Sequence, residues 1–240
     1  MTTPAYGKLF LIPTFIGNKD INRCIPAFNI PIIQSISFFI VEELRTARRF
    51  LRSIDTIFPI DNTNFQILNE HTTHINAEEM LSPILSGHDM GLLSEAGLPC
   101  IADPGAAIVI AAQQKGIRVI PLLGPSSVFM ALMASGLSGQ NFAFHGYLPT
   151  DKHALASKIQ TLELFSEKHQ QAQIFMETPY RNLQMLDCLL KTCSSSTFLC
   201  IAVNLTMPEE FIKTQTIGEW KRSTCPELHK QPAIFIIQKY

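Results

Sequence analysis

The stretch Gly91–Gly105, GLLSEAGLPCIADPG, leaves an apolar run at Ser94-Glu95, then passes two glycines and two prolines. Glycine admits positive φ and close approach to a ligand, whereas proline fixes φ and removes a donor. A strand end built this way turns the backbone aside and leaves amide groups facing a small molecule. The same residue types also make an ordinary tight turn at Gly97 and Pro99. The spacing is neither GxxxxGK[ST] nor GxGxxG, so the common phosphate-cradling loops are excluded. Two further turns of similar make-up, Pro13–Asn18 and Leu123–Ser127, follow other apolar runs.

A second group is cationic. Arg45, Arg48, Arg49 and Arg52 stand at i, i+3, i+4 and i+7, which puts their guanidinium groups on one helix face. The planar arginine fork suits phosphate, so the stripe fits an RNA backbone or an anionic small substrate. A solvated face balanced by Glu42 and Glu43 is the other reading. His71 and His74 lack the further ligands that zinc requires, and no metal site is expected.

These groups need elements to hold them. Lys8–Pro13, Ile36–Val41, Met90–Ser94 and Ile117–Leu122 read as buried strands. Asn76–Leu85, with Asn76 as its cap, Pro104–Lys115 and Ser126–Ser135 read as helices, Ser126 serving as a cap. Strands alternating with helices predict a parallel α/β sheet, in which ligands gather beyond the carboxyl ends of the strands. All three turns lie at such ends, so one shared site is expected. After Pro149 a polar helix from about His153 to Gln170 leads into strand Gln173–Glu177 and helix Asn182–Cys193. Strands near Thr197–Val203, Phe211–Ile217 and Ala233–Gln238 follow. That order predicts a second, mixed α/β domain, giving domains 1–149 and 150–240.

Composition narrows the class. With 240 residues, 46% of them apolar, the chain can fill a core. A net charge of −1 argues against a general nucleic-acid binder but leaves room for a local basic patch. The six cysteines form no C-x-x-C pair and read as buried free thiols of a reducing compartment. The first ten residues, MTTPAYGKLF, lack a signal-peptide pattern, and no apolar run approaches the ~20 residues of a membrane span. A cytoplasmic protein without membrane contact is expected.

Four segments in order, LFLIPTFIGN, the Gly91–Gly105 stretch, GIRVIPLLGPSS and FAFHGYLP, resemble the tetrapyrrole-methylase superfamily of S-adenosylmethionine-dependent methyltransferases. The nearest branch is the ribosomal RNA small-subunit methyltransferase I type, which modifies a ribose 2′-oxygen of cytidine. The resemblance covers roughly the first 150 residues well and the rest weakly. It implies two α/β domains with S-adenosylmethionine in the cleft between them, a parallel-sheet first domain, a mixed-sheet second domain, and a homodimer.

Carried across residue by residue, the resemblance assigns donor contacts to Pro13, Ser94, Glu95, Ala96, Gly97, Ile101, Ser126, Ser127, Met176 and Leu205. Glu95 replaces an aspartate usual in the branch, and Met176 also reads as core packing. Glu42-Glu43-Leu44-Arg45 resembles the branch's AEDTR. Three segments depart from the pattern. Ala202–Met207 reads AVNLTM for ARELTK, Lys230–Pro232 reads KQP for KGE, and Met176–Arg181 keeps Glu177 and Arg181 but loses the histidine of YESxHR. The donor half is preserved and the acceptor half altered. An oxygen acceptor calls for a general base, for which Glu43 and Glu177 are the candidates. Arg45, Arg48, Arg49, Arg52 and Arg181 are the candidate contacts to an RNA, possibly ribosomal, or to a small anionic metabolite. A non-catalytic protein that binds the donor is the remaining alternative.

Overall fold

The computed structural model describes residues 6–68 and 77–240. Two compact units follow one another, Met1–Ser126 and Ser127–Tyr240. In the first, the order is β1 (Lys8–Ile12), α1 (Ile21–Cys24), α2 (Asn29–Gln34), β2 (Phe38–Val41), α3 (Leu44–Ile54) and β3 (Asn64–Ile67). Then come α4 (Ala77–Met80), α5 (Ser82–Leu85), β4 (Met90–Leu93), α6 (Ala106–Gln114) and β5 (Arg118–Pro121). The strands pair in the order β3-β2-β4-β1-β5, all parallel.

Both faces of the three central strands are largely buried, and strand alternation divides the core. Phe10, Ile12, Phe39 and Val41 face Phe50 and Leu51 of α3 and Ile33 of α2. Leu9, Ile40, Met90 and Leu92 face Ile84 of α5 and Ile108 and Ala112 of α6. A sheet covered on both sides needs continuous apolar strands, which is why these runs are legible in the sequence.

The second unit contains α7 (Ser127–Ser135), β6 (Phe142–Tyr147), α8 (Lys152–His169), β7 (Ala172–Glu177), α9 (Asn182–Thr192), β8 (Phe198–Val203), β9 (Phe211–Thr216), α10 (Ile217–Trp220) and β10 (Ala233–Gln238). Its sheet runs β6-β7-β10-β8-β9, with β6 parallel to β7 and the other pairs antiparallel. Phe175, Phe235, Ile201 and Leu199 pack on Leu155, Ile159 and Leu162 of α8 and Leu186 and Leu189 of α9.

The fold class is as expected, with two differences in detail. The units meet between Ser126 and Ser127 rather than after Pro149, because β6 hydrogen-bonds to β7 and so joins the second sheet. The helix expected over residues 76–85 is two short turns, α4 and α5, the second opened by Pro83 at its first turn. Asn76, its expected cap, and the pair His71 and His74 lie outside the described residues. All six cysteines are free, but only Cys193 and Cys200 are fully buried.

Candidate functional site

The turns after β1, β4 and β5 are tied together at Gly97. The Gly97 carbonyl accepts the Thr14 amide at 2.9 Å and the Ser94 hydroxyl at 2.5 Å. Thr14 Oγ1 lies 3.2 Å from the Ser94 carbonyl and 3.3 Å from Ser94 Oγ. Gly97 has φ +77°, and a Cβ there would sit 3.1 Å from Ile16 Cγ2 and 3.3 Å from the Pro125 carbonyl. The fifth-strand turn closes in the same way, since a Cβ on Gly124 would overlap the buried Pro13 ring. Asn29 of α2 fixes that turn by donating to the Leu123 carbonyl at 2.8 Å. Pro13, Ser94, Gly97 and Ser126 therefore belong to one cluster of strand-end turns, as the sequence predicts, with Ser126 immediately before α7. Ala96 and Ile101 are exposed beside them.

Beyond Gly97 the chain delays its helix through a strained loop. Cys100 and Ala102 take φ of 66° and 61°, conformations that cost non-glycine residues energy and cluster at ligand clamps. Asp103, which sequence reasoning missed, ends this loop with a carboxylate that accepts the Glu95 amide. Its Oδ2 is buried without a hydrogen-bond partner. Burial, then the Glu42 and Glu95 charges, push the carboxyl up to about 6 against the pull of that amide.

A folded pKa above the unfolded one means that the native state holds the proton longer, so stability falls as pH rises from about 4 to about 6 and levels off above. Asp103→Asn keeps an acceptor for the Glu95 amide and removes the charge. Because the group is partly solvated, the expected gain at pH 7.5 is only about 1 kcal/mol, roughly 2–4 °C in Tm. Melting curves from pH 4 to 8 check this. An unaltered pH profile in the variant would contradict the assignment.

Glu95 turns toward α3, where its Oε1 accepts the Thr46 hydroxyl at 2.6 Å. The side chain, one methylene longer than the branch's aspartate, thus bridges the turn to the helix. Between them opens a cavity of about 230 Å³ lined by Phe15, Lys19, Thr46, Arg49, Phe50 and Glu95, among others. Glu43 is at the N-cap of α3 and accepts the amides of Arg45 at 2.9 Å and Thr46 at 2.7 Å. Those amides hold its carboxyl below the usual range, which makes it a helix cap and a poor base. The arginine stripe is exposed, but its members diverge. Arg48 lies over the Phe65 ring at 5.6 Å, and Arg52 donates to the Thr56 carbonyl at 2.7 Å. Only Arg49 of the stripe lines the cavity. Glu43 caps the helix end and also faces the Arg45 charge, which helps to hold its carboxyl low.

In the second unit, Glu177 ends β7 and is buried against Arg181, whose Nη2 lies 2.6 Å from Glu177 Oε2. Thr178 donates its amide to the other oxygen at 2.7 Å. Arg181 Nη2 and Glu177 Oε2 form an ion pair, while Arg181 Nε is buried without a hydrogen-bond partner. A carboxylate held this way is structural first. Met176, half-buried, alternates with Phe175 along β7 and so points away from the Phe175 core. Leu205 is buried between Asn204 and Thr206, which have φ of 54° and 72°. The departures from the branch pattern converge. Asn204 donates its amide to the Pro232 carbonyl, and Lys230 donates its amide to the Pro179 carbonyl, each at 3.1 Å. Asn182 Nδ2 adds a bond to the Gln231 carbonyl at 2.6 Å. Three altered segments form one patch, a fact that sequence order conceals.

No protein-family model matches the chain. Ribosomal RNA small subunit methyltransferase I of Vibrio cholerae serotype O1 is 32% identical over 212 residues, which span 88% of this chain and 69% of that protein. This chain belongs to the ribosomal RNA small subunit methyltransferase I family. The Xylella fastidiosa relative is 29% identical over 237 residues, covering 99% of this chain and 82% of its own length. Among solved structures, the methyltransferase CobJ superposes with a TM-score of 0.64 at 15% identity, over 97% of this chain and 94% of that one. Cobalt precorrin-4 methyltransferase CbiF gives 0.61 at 13% identity, over 99% and 97%. These two share the fold. The chain is thus a methyltransferase of this family. Among the described residues no helix is long and apolar enough to cross a membrane, and no group of three or more His, Cys, Asp or Glu is placed to hold a metal.

Proposed function

We propose that the chain is an S-adenosylmethionine-dependent methyltransferase acting on small-subunit ribosomal RNA, at a ribose 2′-oxygen as the resemblance implies. The observation that supports this most is the junction at Gly97, where three turns come so close that a Cβ would crowd Ile16 at 3.1 Å and the Pro125 carbonyl at 3.3 Å. Such a cradle fits a polar donor. In the first unit Pro13, Ser94, Glu95, Ala96, Gly97, Ile101 and Ser126 would hold it. The resemblance also assigns Ser127, Met176 and Leu205, residues of the second unit, to the donor. The bound donor supplies an electrophilic methyl on a sulfonium. The work left to the chain is alignment of the acceptor, which can itself remove much of the barrier. Glu43 and Glu177 are committed to a helix cap and an ion pair, so in this reading Glu95, which lines the cavity beside α3, takes the proton of an acceptor hydroxyl.

A cytoplasmic homodimer is part of the same reading. Sedimentation at micromolar concentration should give about twice the 26.8 kDa of one chain, and a clean monomer would contradict the dimer. The acceptor is tested by mass analysis of nucleosides and metabolites from cells with and without the protein. Loss of one methylated ribosomal nucleoside is expected on deletion. Loss of a small methylated product instead would move the acceptor to a metabolite, and no change would leave only donor binding.

A further inference from the structure

We propose that the cavity beside α3 is a nucleotide subsite in which Lys19 and Arg49 hold a phosphate of the acceptor strand. This deepens the RNA reading and rests on it. The cavity has a direction set by the helix. Thr46 and Glu95 stand at the end nearest the strand-end turns, Arg49 one turn along α3, and Ser53 nearly two turns along, about 10 Å from Thr46 at the helical rise. Glu95 therefore adjoins the proposed donor cradle, while the cations Arg49, one turn further along α3, and Lys19 line the same cavity. A ribose hydroxyl suits the carboxylate and a phosphate the cations.

The floor and the volume agree with one nucleotide. Phe15 and Phe50 meet edge to face, with ring centroids 5.4 Å apart, and offer an apolar surface for a sugar or base. At about 230 Å³ the space is below the roughly 300–1,000 Å³ of pockets that enclose whole drug-sized ligands, so a tetrapyrrole macrocycle is disfavoured. Lys19 and Arg49 are exposed and form no ion pair among the described residues, which leaves both charges available. Lys19 stands outside the arginine stripe, and no spacing in the chain joins it to Arg49. The subsite narrows phosphate recognition from four arginines to one arginine and one lysine.

The test compares two double variants, Lys19→Gln/Arg49→Gln and Arg45→Gln/Arg52→Gln. Binding of a short single-stranded oligocytidylate RNA is followed by fluorescence anisotropy across a potassium chloride series. Losing a phosphate contact on a single strand lowers the log–log salt slope by about 0.7. The first pair should lower it by about 0.7 to 1.4, depending on whether the two cations share one phosphate, and the second should leave it unchanged. Cytidine 3′-monophosphate should compete roughly tenfold better than cytidine against the unmodified protein, and no better against the first variant. Equal flattening by both pairs, or flattening by neither, overturns the proposal. Methylation of small-subunit RNA by the unmodified protein is measured alongside. A normal methylation rate with unchanged slopes sinks the subsite alone, whereas the expected slopes without methylation sink the enzymatic reading and leave the subsite standing.

Discussion

Gly97→Val is expected to weaken S-adenosylmethionine binding by at least about thirtyfold, equivalent to roughly 2 kcal/mol. Three costs add. A β-branched residue at φ +77° is a backbone outlier, worth about 1–2 kcal/mol by itself. The new Cβ would press on Ile16 at 3.1 Å and on the Pro125 carbonyl at 3.3 Å, and the valine methyls need more room still. Any shift of this residue also moves the carbonyl that accepts both Thr14 and Ser94, so two turns would separate together. Calorimetry on protein shown by circular dichroism to be folded measures the loss. Gly97→Ala, with the same φ but less bulk, should lie between the two. Unchanged affinity in both variants would remove this junction from the donor site.

The second large effect concerns stability. Arg181→Met would leave Glu177, with 2% of its side chain exposed, as an unpaired buried carboxylate. Breaking one side of such a pair typically costs about 3–5 kcal/mol, because the remaining charge has lost its counter-ion. Since Arg181 is itself partly solvated, the lower figure is expected, a fall of roughly 6–12 °C in the melting of the second unit. Glu177→Gln combined with Arg181→Met keeps an acceptor for the Thr178 amide and removes the stranded charge, so it should recover most of the loss. If the double variant melts as low as the single one, packing and not charge explains the contact.

What the sequence made legible was the part under the strictest physical constraint. Strands buried on both faces must be continuous apolar runs, so β1, β2 and β4 could be read directly. Strand β3, NFQI, was not recognised, because an edge strand with half-exposed residues needs no such run. Strand β6 was missed as a strand because His145 and Gly146 break its alternation, and Gly146, at φ +61°, marks the register shift before Tyr147. The same omission moved the expected domain boundary.

The candidate site was legible to the same degree. The three turns announced themselves by glycine and proline, which report backbone needs locally. The roles of Glu43, Asp103 and Lys19 depend on neighbours far away in the chain or on helix ends whose start could not be fixed to one residue. Glu43 looks identical in sequence whether it caps α3 or faces a substrate; only the two amides at its oxygens separate the cases. Asp103 gained its raised pKa from burial beside Glu42, some sixty positions earlier in the chain by their numbering.

The central claim is transfer of a methyl group from S-adenosylmethionine to small-subunit ribosomal RNA, and one measurement addresses it most directly. Purified protein is incubated with S-adenosylmethionine carrying a labelled methyl group and with small ribosomal subunits from cells that lack the protein. The RNA is then digested to nucleosides and separated. The proposal requires label in a single ribose-methylated nucleoside, and its disappearance with Gly97→Val. Unlabelled RNA, under conditions where calorimetry shows the donor bound, would contradict it.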